Sequence, residues 1–452
     1  MVKGPLVHCI TNAVTAPFVA DCVAAVGGRP IMAEDPADCA DLAKVADGLC
    51  INLGQLNEHK REAILASLKN RGDRPWVLDP VGVGALPSRL EFAQRLLEFK
   101  PRIIRGNASE VYALATGQPS GSGIDSSRVG LTRRQWFELA AALPAQEVAV
   151  TDIKLSKISR DAVYDPDGVR QFEGGSPIMG KFPGFGCALS AVCAAWGQAS
   201  MPFKLFSNVG QQLSTSTYGG FRADFLSEIA RQSRAQKVRD MLRLYFVAGP
   251  QDHPKLDELL AQAIESGITC FQHRDKTQSL SEKKRYKHTL KVAQLSSVPW
   301  MQNDDLGKAL SFGSDGLHLG QSDGDPKQAR EQLGPDAIIG LSVSKPEHWA
   351  KYDPRYVDYV GIGPFAATQT KPDARQPLGA EGIRQLRQGY EHVPSVAIGG
   401  IDEMNAREAL SSGVDGIAVV SAIAKADDPA TATRNLAALV QSHFQTKGWI
   451  DD

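Results

Sequence analysis

An α/β chain of two domains, the second a closed (β/α)8 barrel, is the architecture this sequence predicts, and three observations carry that expectation. The chain has 452 residues and is 42% hydrophobic, too long for one core. Its first 230 residues alternate short β-branched runs with amphipathic helical patterns. The remaining stretch of about 200 residues holds eight strand-like runs, each followed by a helix-length segment.

In the first half the strand-like runs are Leu6–Ile10, Gly48–Asn52, Trp76–Asp79, Arg102–Ile104 and Glu147–Thr151, with helical patterns at Glu58–Asn70 and Arg89–Phe99. They predict a mainly parallel sheet. The charged segment Arg231–Asp240 reads as a helix end running into a linker, with the boundary near 233–242 and domains at 1–235 and 236–452. Beyond it, strands are expected to start near Leu244, Ile268, Val298, Gly316, Ala337, Tyr356, Ser395 and Gly416. A doubly wound open sheet is the alternative.

Charge and composition narrow the function classes. Lys+Arg 50 against Asp+Glu 51 leaves a formal charge of -1, which offers no general surface for nucleic acid. No apolar run reaches the length of a membrane span, and the start has no charged-then-apolar leader pattern. Seven cysteines without C-x-x-C spacing suit free thiols in a reduced cytoplasm.

In a barrel of this kind, working residues gather at the C-terminal strand ends. Strand two ends in Gln272-His273-Arg274-Asp275-Lys276, strand three in Asn303-Asp304, and Asp323 follows strand four. Two carboxylates on neighbouring loops suit Mg²⁺, a hard ion that shares its shell with phosphate oxygens. Ser342, then Thr368-Gln369-Thr370-Lys371, Gly399-Gly400 and Val420-Ser421 follow at later strand ends. Hydroxyls, a cation and glycine-rich backbone make a phosphate cradle.

These motifs, with His318-Leu319-Gly320-Gln321, Gly363-Pro364 and Ala397–Ile401, resemble thiamine phosphate synthase across residues 244–440. The resemblance implies that Gln272, Arg274, Lys276, Asn303, Ser342 and Lys371 hold hydroxymethylpyrimidine diphosphate. It implies Mg²⁺ on Asp304 and Asp323, and thiazole phosphate on Thr368, Thr370, Gly400, Val420 and Ser421. The implied reaction is dissociative, with thiazole nitrogen capturing a pyrimidine methyl cation. Asp305 departs from the family's Arg and is expected either to weaken diphosphate binding or to add a metal ligand; Ala366-Ala367 and Gln369 also depart from its pattern.

In the first half, Asp79–Gly84 and Arg105–Glu110 follow strands, and Gly184-Phe185-Gly186-Cys187 opens an apolar helix, Ala188–Trp196. A helix start there directs N–H groups at an anion and is expected to lower the pKa of Cys187, unless that residue is simply packed. With Pro5–Asn12 and Pro30–Pro36, these segments resemble hydroxyethylthiazole kinase, a ribokinase-like enzyme, over residues 5–228. The resemblance implies Met32 and Gly184 at the thiazole alcohol and Arg105 and Thr151 at ATP. It places Asp79 and Glu110 at the Mg²⁺ and Cys187 where the alcohol proton is accepted. It also implies a homo-oligomer. Pro183 and Phe185 remove hydroxyls and an N–H from the family's anion hole, Asp152 would repel nucleotide phosphates if it faces them, and Ser122–Asp125 lacks a cation.

Together these readings predict a bifunctional enzyme of thiamine biosynthesis. The competing reading keeps an active synthase barrel beside a non-catalytic kinase-like module. A thiazole tautomerase-like barrel is disfavoured by Gln272, Arg274, Lys276 and the Asn303-Asp304 pair.

Overall fold

The computed structural model describes residues 4–119, 129–155, 158–275, 282–367 and 376–446. The chain divides into two compact units, Lys3–Ser233 and a second that runs from Arg234.

The first unit is an eight-stranded sheet: β1 (Leu6–Ile10), β2 (Arg29–Ile31), β3 (Gly48–Asn52), β4 (Trp76–Asp79), β5 (Ile103–Asn107), β6 (Glu147–Leu155), β7 (Ile158–Asp165) and β8 (Gly168–Glu173). Its order is β2-β1-β3-β4-β5-β6-β7-β8. Pairing is parallel from β2 through β6, and β6-β7-β8 is antiparallel. Both faces of the parallel part are covered, so its strands read as continuous apolar runs and sort their side chains by parity. Leu49, Ile51, Leu78, Ile104, Val148 and Val150 enter one core. Cys50, Val77, Ile103 and Ala149 enter the other, against the helices Ala16–Ala25 and Phe185–Trp196. Chain order reverses between β1 and β3, and such a switch point opens a crevice at the carboxyl ends of the strands.

The second unit is a closed parallel barrel: β9 (Leu244–Ala248), β10 (Cys270–His273), β11 (Trp300–Asn303), β12 (Gly316–Leu319), β13 (Ile338–Val343), β14 (Tyr359–Ile362), β15 (Ser395–Ile398) and β16 (Gly416–Val419). The ring closes where Ile417 pairs with Leu244. A Cβ at Gly416 would lie 1.8 Å from the Leu242 carbonyl, so this seam needs glycine. Inside, Tyr245, Val247, Cys270, Met301, Tyr359, Val396 and Ala418 pack on Val238, Met241 and Leu242, which close the N-terminal face. The interior is thus filled by side chains below the C-terminal rim, as in other barrels of this kind.

The expected linker is absent. Residues 231–240 belong to one helix, Phe221–Met241, because their charges sit at helical spacing and find partners. Arg234 donates to both oxygens of Asp358, at 2.6 and 3.1 Å. Arg330 reaches the same carboxylate at 2.6 Å, and the Ile339 N–H donates to it at 2.8 Å. Among the described residues no helix is long and apolar enough to cross a membrane, and all seven cysteines are free thiols.

Removing the Asp358 carboxylate strands two partly buried guanidinium groups. Asp358→Ala is expected to cost the barrel about 3 kcal/mol, read as a lower urea midpoint in denaturation. An unchanged midpoint would mean that this cluster contributes nothing.

Candidate functional site

A cavity of about 550 Å³ opens at the C-terminal rim of the barrel. Gln272, Arg274, Asn303, Asp304, Asp323 and Ser342 all line it, as do Gly400, Val420 and Ser421 on the far side. They converge from six different strand ends. Lys276, Thr368, Gln369, Thr370 and Lys371 lie outside the described residues.

Two carboxylates dominate the electrostatics of this cavity. Asp304 adopts φ 60°, left-handed for a residue with a side chain, and is pinned there by its N–H donating to the His318 carbonyl at 2.8 Å. Asn303 Nδ2 donates to its carboxylate. Asp323 is held by the Gly320 N–H at 3.0 Å and the Ser322 hydroxyl at 3.2 Å. Glycine at 320 leaves room for this carboxylate, since a Cβ there would meet Asp323 Oδ2 at 2.3 Å. Burial, and then the facing charge of Asp323, push the Asp304 carboxyl up to about 6, against the opposing pull of Arg274. Two oxygen donors crowded together in this way, beside Arg274, fit a hard divalent cation shared with an anionic ligand.

Asp305 is not among the residues that line the cavity. It N-caps the helix Leu306–Phe312, accepting the Lys308 N–H at 2.8 Å, and its other oxygen lies 3.9 Å from Lys308 Nζ. A polar chain that the sequence reading did not assign crosses the cavity floor. Gln272 Nε2 donates to Tyr245 Oη at 3.2 Å, and the Tyr245 and Tyr359 hydroxyls are 2.9 Å apart. His318 then bridges Tyr359, 3.0 Å from Nδ1, and Ser342 Oγ, 3.0 Å from Nε2. The signal was two phenols and an imidazole at inward strand positions among aliphatic residues.

On the far side of the rim, Gly399 and Gly400 take φ 100° and 67°. A Cβ on Gly400 would sit 2.5 Å from the Ala367 carbonyl, so backbone alone can occupy that corner. Val420 and Ser421 open the short helix Ser421–Ala424.

In the first unit, Met32, Asp79, Arg105, Glu110 and Thr151 lie on or just after β2, β4, β5 and β6, and Gly184 and Cys187 at the start of the helix Phe185–Trp196. Asp79 is fully buried and accepts from Asn52 Nδ2 at 2.7 Å and the Ser190 hydroxyl at 2.9 Å, with Arg105 Nη1 at 4.0 Å. Arg105 Nη2 donates to Thr151 Oγ1 at 2.8 Å. The same guanidinium covers the start of the helix Phe185–Trp196, because a Cβ on Gly186 would meet Arg105 Nη1 at 2.5 Å. A cation and leading helix N–H groups together make an anion site. Gly184 N-caps that helix at φ 106°, and Met32 packs on the cluster that includes Cys187.

Glu110 closes a capping box with Asn107 and accepts the Gly82 N–H at 2.9 Å. Burial and then Asp79 raise its carboxyl to about 7. Asp79 is raised by burial as well. These two desolvated acids fit a divalent cation by charge, although both oxygens of Glu110 already accept backbone N–H groups.

One expectation about this half changes. The Cys187 thiol is not acidified: burial, with Asp79 adding, pushes it up to about 11, against the opposing pull of Thr15, Arg105 and Asn52. It therefore stays protonated near neutral pH. The Phe185 ring packs edge-on to Phe18 and Phe225, with centroids 4.9 and 4.8 Å away. Asp152 is exposed at φ 58°, donating its N–H to Asp161 at 3.0 Å, beside Thr151. The Ser122–Asp125 departure lies outside the described residues.

Comparison with known proteins follows the same division. A family model described as the hydroxyethylthiazole kinase family matches residues 2–230. One described as thiamine monophosphate synthase matches residues 244–423. A thiamine biosynthesis bifunctional protein ThiM/ThiE of Symbiobacterium thermophilum is 32% identical over 465 residues, covering 96% of this chain and 95% of its own. A thiamine-phosphate synthase of Streptococcus suis is 42% identical over 204 residues, 44% of this chain and 89% of its own. A hydroxyethylthiazole kinase of Serratia proteamaculans is 40% identical over 223 residues, 48% of this chain and 80% of its own.

A cation bound between Asp304 and Asp323 should stabilise the barrel. Millimolar Mg²⁺ is expected to raise its thermal midpoint by about 3 °C in the native chain and not in Asp304→Asn. An equal rise in both proteins would place the cation elsewhere.

Proposed function

This chain belongs to the hydroxyethylthiazole kinase family through its first half and to the thiamine monophosphate synthase family through its second, and we propose that it performs two consecutive transfers of thiamine biosynthesis. The first half phosphorylates hydroxyethylthiazole at the expense of ATP. The barrel joins the resulting thiazole phosphate to hydroxymethylpyrimidine diphosphate, releasing pyrophosphate. The single observation that carries the reading is the convergence of diphosphate-type and phosphate-type residues on one cavity around a carboxylate pair.

In the barrel, Asp304 and Asp323 would hold Mg²⁺, which lends positive charge to the departing diphosphate. Arg274 adds to that charge from the rim, joined by Lys276 and Lys371. Gln272, Asn303 and Ser342 hold the pyrimidine. Thr368, Thr370, Gly400, Val420 and Ser421 fix the thiazole phosphate, so that the ring nitrogen lies ready to attack. The C–O bond to diphosphate breaks with its electron pair leaving on oxygen, and the thiazole nitrogen supplies the pair for the new C–N bond. No protein nucleophile takes part, so the chain contributes electrostatics and positioning.

In the kinase half, Arg105 and the helix start that it covers receive nucleotide phosphate, with Thr151 orienting the guanidinium. Asp79 and Glu110 supply negative charge for a nucleotide-bound Mg²⁺. Met32 and Gly184 bound the thiazole, and Cys187 meets its hydroxyl. Because Cys187 is a thiol, it does not withdraw the proton in advance. In a loose phosphoryl transfer the hydroxyl oxygen attacks the γ-phosphorus, the bond to ADP breaks, and the proton leaves late onto the transferred group.

The substitutions Pro183 and Phe185 favour one other reading, a first half that binds without catalysing. The full chain with Mg²⁺ and pyrimidine diphosphate separates the two. It is expected to form thiamine phosphate from thiazole alcohol plus ATP and also from thiazole phosphate. Product from only the second mixture identifies a silent kinase half; product from neither removes the whole assignment. The variants should cross. Asp304→Ala is expected to lower coupling at least about 100-fold while thiazole phosphorylation persists. Cys187→Ala is expected to lower phosphorylation about tenfold while coupling persists. Undiminished coupling in the first variant, or native phosphorylation in the second, contradicts the corresponding role.

A further inference from the structure

The hydrogen-bonded chain under the barrel cavity has a direction, and that direction deepens the reading just given, on which its ligand assignment rests. Gln272 is buried on β10, and its Nε2 donates to Tyr245 Oη. A phenol has a single proton to give. Tyr245 and Tyr359 are fully buried, and burial raises both hydroxyls well above their ordinary range, so each keeps its proton. Having accepted from Gln272, Tyr245 gives its proton to Tyr359, which gives its own to Nδ1 of His318. An imidazole that accepts at Nδ1 carries its proton on Nε2, and that N–H donates to Ser342 Oγ. The Ser342 hydroxyl is left to donate into the cavity, and Gln272 Oε1 is left to accept from it.

The barrel sets aside space for this chain. In the strand register Gly340 stands between His318 on one side and Tyr359 on the other. A Cβ there would lie 2.2 Å from Tyr359 Cζ and 2.5 Å from His318 Nδ1. At Gly361, paired with Ser342, a Cβ would press on His318 Cε1 at 3.2 Å. Two glycines inside strands, each costly in chain entropy, are what allow the imidazole and phenol to meet.

We infer that Tyr245, Tyr359 and His318 are positioning residues that lock the cavity floor into one polarity, an acceptor at Gln272 and a donor at Ser342. The ligand selected carries a hydrogen-bond donor and a ring-nitrogen acceptor together, as a 4-aminopyrimidine does. A 4-oxopyrimidine presents the reverse pattern and meets acceptor with acceptor. A site built on buried hydrogen bonds discriminates strongly against such a mismatch, because the protein groups are left unpaired.

Two measurements test this on the full chain. The first compares kcat/KM for coupling with 4-amino and 4-oxo pyrimidine diphosphates. The native protein should prefer the amino compound, and Tyr359→Phe, which removes one oxygen and breaks the chain, should reduce that preference about tenfold or more. Tyr245→Phe should do the same, with thermal midpoints confirming that both variants fold. An undiminished preference in folded variants overturns the inference. The second is independent of activity: ¹⁵N-histidine NMR, with His318→Asn identifying the signals, should show the Nε2–H tautomer of His318 in the native protein and a loss of that single form in Tyr359→Phe. The Nδ1–H tautomer in the native protein would reverse the chain and overturn the proposal. A native protein that couples neither pyrimidine refutes the proposed function instead, and the tautomer still decides the direction of the chain.

Discussion

The site depends on a repulsion that the fold refuses to relieve. Asp304 is held by a left-handed backbone and a bond to the His318 carbonyl, and Asp323 by the N–H of Gly320, whose missing Cβ leaves room for the carboxylate. Two carboxylates kept together in a partly desolvated cavity are unfavourable alone and favourable around a cation. Everything else at the rim follows from that arrangement: Arg274 tempers the charge, and Gln272 and Ser342 shape the floor. Closure of the barrel makes this possible, since only a ring directs eight strand ends at one point.

The first unit answers a related problem differently. Asp79 is buried as deeply as any core residue, yet Asn52, Ser190 and Arg105 surround it. Its charge is balanced by the same arginine that covers a helix start, so one cation serves both an internal acid and an anion site. The thiol beside them stays protonated because it is desolvated among acids, which moves the chemistry from proton abstraction towards alignment.

Much of this was legible in the sequence. β1, β3, β4 and the helix Glu58–Asn70 lie where the apolar runs placed them. Barrel strands at Leu244, Gly316, Ser395 and Gly416 begin as expected, while those expected at Ile268, Val298 and Tyr356 begin at Cys270, Trp300 and Tyr359. At Ile268 the shift has a visible cause, since this apolar residue is buried in the turn before its strand begins to pair. The hairpin β7-β8 escaped notice, its strands being short of alternation: Arg160 and Asp161 stand side by side in one and Arg170 and Gln171 in the other. Arg231–Asp240 looked like a linker because charge is the usual mark of one, and their partners, such as Asp358, lie far along the chain. The acidity of Cys187 was misjudged for the same reason: local sequence shows the helix start but not the burial. The chain from Gln272 to Ser342 joins five strands, and no local pattern reports a contact of that kind.

The most direct measurement is a crystal structure of the protein with Mg²⁺ and an unreactive analogue of the pyrimidine diphosphate. The account predicts one metal ion bonded to both Asp304 and Asp323 and to diphosphate oxygens, with the pyrimidine resting on Gln272 and Ser342. A metal bound away from that pair, or the two carboxylates turned from each other with diphosphate in place, would contradict it.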